Sequence, residues 1–66
     1  MNPLRRARIL QGKPIDIVSQ RTGIDSAKIS RIERGLKDPT PDEKRMLAKV
    51  LRSRIRDLFP KEVSND

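Results

Sequence analysis

Residues 15–34, Ile-Asp-Ile-Val-Ser-Gln-Arg-Thr-Gly-Ile-Asp-Ser-Ala-Lys-Ile-Ser-Arg-Ile-Glu-Arg, read as two short helices joined by a tight turn at Gly23. Val18, Ile24, Ile29 and Ile32 recur at spacings that put them between the two helices. Ser19 is small where the helices must approach closely. Asp25 is suited to cap the second of them, because its carboxylate can accept from N–H groups near Ala27 and Lys28. Lys28, Arg31 and Arg34 are then left on the outer side of that helix. A helix-turn-helix that offers a basic helix to a DNA groove has this layout.

The flanking sequence supplies three more helices. Pro3 can open a first helix behind Asn2 as a cap, with Leu4, Ala7, Arg8 and Gln11 on one face and Gly12 as its terminator. Pro14 restarts the chain, so the second helix is expected over roughly 14–22 and the third over about 26–34, stopped by Gly35. Residues 36–40 form a loop in which Pro39 blocks helix continuation. Thr40 caps a fourth helix that opens with Pro41, Asp42 and Glu43, and its inward face is Met46 or Leu47, with Val50 and Leu51. A short fifth helix over about 54–59 carries Ile55, Leu58 and Phe59, and Pro60 ends it. No strand pattern, internal repeat or low-complexity run interrupts this order. The expectation is an all-α domain over residues 1–60 and a short polar tail over 61–66.

Length and composition bound what such a chain can do. Its 66 residues make one small domain, which buries only ~60% of its unfolded surface. Charged residues reach 38% against 33% hydrophobic, yet the apolar positions are patterned, which argues against disorder. Net charge is +7, and it is unevenly placed: residues 1–37 hold nine Lys or Arg against three acids, residues 38–66 seven against six. The excess lies on the half with the helix-turn-helix, as a polyphosphate partner requires. Without cysteine or histidine there is no thiolate site, no imidazole ligand and no ordinary neutral-pH acid–base group. An enzyme is not expected, nor a cofactor, metal or small-molecule ligand. No apolar run approaches ~20 residues and the N-terminus lacks a signal-peptide core, so the expected location is the cytoplasm.

The third helix carries the chemistry. The major groove, ~12 Å wide, admits an α-helix. Arg31 can bind guanine O6 and N7 with two parallel hydrogen bonds, the methyl of Ala27 can meet a thymine methyl, and Ser26 can donate or accept. Lys28 reads as reaching a base or a phosphate, or as a solvated lysine. Arg34, near the helix end, suits a phosphate better than a base.

From Leu4 to Phe59 the chain resembles the phage repressor and Cro type of DNA-binding domain, the lambda-repressor-like five-helix fold of the XRE family. The residues that carry the likeness are Arg8, Thr22-Gly23-Ile24, the run from Ile29 through Ser30, Arg31, Ile32, Glu33 and Arg34 to Gly35, Pro39 with Thr40, Leu47-Ala48 and Leu51. The resemblance implies an ion pair between Arg8 and Glu33, with Arg8 leaning also towards a phosphate. Glu33 is the only acid in a basic helix, and its bland reading is a surface acid beside Arg34 or Lys37. The resemblance further implies phosphate binding at the start of the second helix, residues 14–15, and in the loop from Lys37 to Thr40, with charge from Lys13, Arg34 and Lys37.

The sequence departs from the family pattern in three places. Pro14 and Ile15 stand where a small polar cap and a glutamine are usual, so a phosphate contact there must come from the Ile15 or Asp16 N–H. Ile17 occupies a position that is usually polar, and Ile15 with Ile17 makes an apolar patch for the first helix or for a partner. Phe59 is the only aromatic residue, which leaves nothing to stack on unpaired RNA bases.

One domain of this kind contacts few base pairs, so a homodimer, at least on DNA, is expected on half-sites one helical turn apart. The resemblance places the dimer contact around Arg52, Ile55, Leu58 and Phe59; either one of the three apolar residues faces a partner or all three complete the core. The expected function is a sequence-specific double-stranded DNA-binding regulator, most simply a small stand-alone repressor on a palindromic operator. The alternative is a protein-interaction module, such as an antitoxin or anti-repressor, on the same fold.

Overall fold

Local signals at each helix end account for the order of elements. The computed structural model describes residues 2–60, so the expected tail over 61–66 lies outside the described residues. Five helices follow in chain order: α1 Pro3–Leu10, α2 Ile15–Thr22, α3 Ser26–Glu33, α4 Pro41–Val50 and α5 Ile55–Leu58. No strand occurs among the described residues, as the all-α expectation required. Asn2 caps α1 by accepting from the Leu4 and Arg5 N–H groups, and Asp25 caps α3 through Ala27. Thr40 and Glu43 cap α4 reciprocally: the Thr40 hydroxyl oxygen accepts from the Glu43 N–H, and the Glu43 carboxylate accepts from the Thr40 N–H. Pro14 lies just outside α2 as its N-cap, not inside its first turn, and gives that helix no side-chain cap.

Three helices close in the same way at their C-termini. After α1, Gly12 is left-handed, its N–H bonds the Ile9 carbonyl, and the Lys13 N–H bonds Arg8. After α3, Gly35 does this with Ile32, and Leu36 bonds Arg31. After α4 the left-handed position is held by Arg52, with φ of 49°, whose N–H bonds Lys49 while Ser53 bonds Ala48. Arg52 is the one positive-φ residue other than glycine among the described residues.

The core is Leu4, Val18, Ile24, Ile29, Ile32, Leu47, Ala48, Leu51 and Leu58. Helix α2 packs on α3 and α4, and α5 packs on α1 and α4. The inward face of α4 is Leu47, Ala48 and Leu51; Met46 is 37% exposed and Val50 half-buried, which resolves the Met46-or-Leu47 alternative and removes Val50 from the buried set. No helix among the described residues is long and apolar enough to cross a membrane.

Candidate nucleic-acid interface

The joint between α2 and α3 is fastened by polar groups as well as by packing. Gly23 turns the chain with φ of 76°, and its N–H bonds the Ser19 carbonyl. The buried Thr22 hydroxyl donates to the Val18 carbonyl at 2.8 Å and accepts from the Ile24 N–H at 3.1 Å. Ser19 Oγ donates to the Ile24 carbonyl. Both backbone polar groups of Ile24 are therefore satisfied while its side chain enters the core. The angle between α2 and α3 is held by hydrogen bonds that have geometry, on top of apolar contacts that have little.

On α3, Ile29 and Ile32 are buried, while Ala27, Arg31 and Arg34 are exposed and share the opposite face at spacings of four and three. Ser26, at the first helical position, is half-buried. Neither Arg31, Arg34 nor Lys37 has an ion-pair partner among the described residues.

Glu33 is buried, and Arg8 answers it. Arg8 Nε donates to Glu33 Oε2 at 2.7 Å and Nη2 to Oε1 at 3.1 Å, a two-point fork that joins α1 to α3. Arg8 Nη1 donates to the Lys13 carbonyl at 3.2 Å, so the guanidinium also pins the chain between α1 and α2. With its side chain only 12% exposed, Arg8 is turned inward, and the geometry serves the ion pair and not a phosphate.

Two further cations are not where the sequence suggested. Lys28 does not stand on the outer face of α3: its Nζ lies 2.7 Å from Glu43 Oε2 on α4, and its side chain is 25% exposed. The Lys28 hydrogen bond, followed by that from the Thr40 N–H, holds the Glu43 carboxyl below its ordinary pKa of 4.5. Lys13 also faces inward: its ammonium donates to Gln11 Oε1 and to the Val50 carbonyl, at the last turn of α4. Gln11 completes this contact by donating to the Leu51 carbonyl at 2.6 Å.

At the start of α2, the Ile15 side chain packs against the core, and Ile17 is half-buried. The exposed apolar side chains are instead Ile9, Leu10, Leu36 and Met46. In the loop before α4, Thr40 has its N–H occupied by Glu43, and Pro41 has none to offer. Among the expected dimer residues, Leu58 is 2% exposed and belongs to the core of the single chain, which corrects its assignment to an interface. Ile55 and Phe59 pack against that core and are only partly covered, and Arg52 is exposed.

Sequence reasoning did not single out Glu43 for the site. The Thr40-to-Glu43 spacing marks a capping box, which was available locally, but the Lys28 contact spans 15 residues and depends on where the fold sets the start of α4 relative to α3. The roles of Thr22 and Gln11 were likewise hidden, because each bonds a backbone group whose position the fold decides.

Residues 4–58 match the helix-turn-helix family. No curated protein and no solved structure matches the chain. A match that spans nearly all of the described residues makes this chain a member of the Cro/C1-type, lambda-repressor-like helix-turn-helix family of DNA-binding regulators.

Proposed function

We propose that the chain is a sequence-specific repressor that acts in the cytoplasm, laying α3 in the major groove of a palindromic operator as a dimer. The observation that carries this reading is Arg31. It stands exposed on the face of α3 opposite Ile29 and Ile32, without an ion-pair partner among the described residues, on a helix braced by the Thr22 turn and the Arg8–Glu33 fork. A guanidinium on a helix that cannot roll is preorganised for a two-point contact with guanine. Ala27, one turn earlier on the same face, and Ser26 beside it complete the base-reading group. Arg34 and Lys37 lie at and beyond the end of α3 and take phosphates, joined by the N–H groups that open α2 at Ile15, which no side chain caps. In the dimer, Ile55, Phe59 and Arg52 face the second copy while Leu58 stays in its own core.

The test starts with selection of bound duplexes from a random pool, which returns half-site, spacing and symmetry together. Gel shifts on the selected operator then compare the parent with Arg31→Ala. The expected loss is about 5- to 150-fold, from ~1–3 kcal/mol of base contact. Equal binding by the variant would remove Arg31 from the reading surface, and a selected site without dyad symmetry would remove the dimer.

A further inference from the structure

We infer that Glu43 withholds the Lys28 ammonium from DNA phosphates and so lowers the affinity of the chain for DNA of any sequence. The inference rests on the DNA-binding reading above. Lys28 occupies the first turn of α3, where a lysine would face the groove with the other N-terminal residues of that helix. It is instead drawn across to α4, with Nζ 2.7 Å from Glu43 Oε2.

What distinguishes this pair from an ordinary surface ion pair is that its acid is already fixed. Glu43 Oε1 accepts from the Thr40 N–H at 2.8 Å, and the Glu43 N–H donates back to Thr40 Oγ1 at 3.2 Å. The carboxylate is thus held by its own helix end with the second oxygen aimed at Lys28, and it loses little side-chain freedom when the lysine arrives. Both side chains are about three-quarters covered, which protects the pair from salt better than an exposed one. No first-turn residue of α3 is acidic, the Asp25 carboxylate at its head accepts from the Ala27 N–H, and the positive end of the helix dipole favours the departure of the ammonium.

The same carboxylate acts on the neighbouring backbone. It takes the Thr40 N–H, and with Asp42 it sets two acids at the start of α4. A phosphate approaching that helix start would meet negative charge instead of free donors. Glu43 therefore removes two sequence-independent attractions, Lys28 and the Thr40 N–H, from a chain that carries +7. Non-specific binding depends on phosphate contacts, while specific binding adds the base contacts of α3. A phosphate contact common to both strengthens them alike, so withholding Lys28 loosens the hold on bulk DNA without costing the operator its advantage over it.

The test is a double-mutant cycle of Glu43→Gln and Lys28→Met, read by the salt dependence of binding to a short mixed-sequence duplex. Glutamine at this position still accepts from the Thr40 N–H, so the cap survives and only the charge is lost; an unchanged helical circular-dichroism spectrum and a cooperative thermal melt of the variants check this. E43Q should steepen the slope of log K against log salt by about 0.9, one phosphate, and tighten binding ~3-fold more at about 50 mM than at about 200 mM salt. Adding Lys28→Met to E43Q should return the slope to the parent value. An equal loss of slope from Lys28→Met with and without Glu43 overturns the inference. A second readout needs no variant: lysine ammonium NMR of the parent should show the Lys28 Nζ signal unchanged when the duplex saturates the protein, and transfer of that signal to a phosphate environment overturns the inference too. A parent that binds the duplex without coupling in the cycle sinks this inference alone. A parent that binds no DNA sinks the reading on which it rests as well.

Discussion

Helix α3 is held on two sides by ion pairs that look alike on paper and differ in kind. On the α1 side, Arg8 grips Glu33 through two bonds, with side chains 12% and 5% exposed. On the α4 side, Lys28 meets Glu43 through one ammonium, with 25% and 20%. The first pair is a clamp. Each charge is nearly out of water, so each depends on the other, and loss of either strands a buried ion. The second pair is a latch. Water can replace either partner at modest cost, so the bond is adjustable and its effect is on where a cation points. A recognition helix needs both: a fixed axis, and control over which of its basic side chains reach the ligand.

The sharpest way to break this contrast is Glu33→Ala. It should cost about 3–5 kcal/mol, comparable with the whole stability of so small a domain, and urea unfolding would show it. Arg8→Lys is the milder probe. It keeps the charge but forfeits the fork and the bond to the Lys13 carbonyl, so about 2 kcal/mol should go. If both changes proved as small as a change at Lys28, the distinction between clamp and latch would collapse.

Arg52→Gly tests the α4 side from its far end, without touching either pair. The C-terminal turns of α1 and α3 use Gly12 and Gly35 at the left-handed position, whereas α4 uses an arginine at φ of 49°. Glycine there should raise stability by up to about 1 kcal/mol, since relief of strain exceeds the extra freedom of the unfolded chain. A lower melting temperature would mean that the Arg52 side chain contributes something that outweighs its strain.

The smallest effect is that of pH on the latch. The Lys28 and Thr40 hydrogen bonds hold the Glu43 pKa below 4.5, so its contribution to stability is complete above that pH and is lost as pH falls through the lowered value. Thermal melts of parent and Glu43→Gln should therefore converge in stability as the solution is acidified below about 4.5. A gap that stayed constant would mean that the ionised carboxylate adds nothing to folding.

Much of the fold was legible from local chemistry. Asn2, Asp25 and Thr40 read as caps and Gly12, Gly23 and Gly35 as terminators, because a capping bond or a positive φ involves residues a few positions apart. The apolar rhythm of Val18, Ile24, Ile29 and Ile32 likewise identified the faces that meet. The partner of Glu33 was anticipated through family resemblance together with its isolation in a basic helix. Side-chain destinations were harder. Lys13, Lys28, Arg31 and Arg34 look equivalent along the chain, yet two turn inward onto α4 or its last turn and two stay exposed. At the end of the chain, a four-residue α5 hid how Ile55, Leu58 and Phe59 would divide between the core and its edge.

By itself, then, the sequence determined the helices, their ends and the basic face of α3, since those depend on nearest neighbours and on a period of 3.6 residues. The tertiary structure alone decided which cations that face keeps. A lysine ammonium moves on a long flexible stem and goes to the nearest fixed anion, and for Lys28 that anion is Glu43, which only the packing of the helices brings within 2.7 Å.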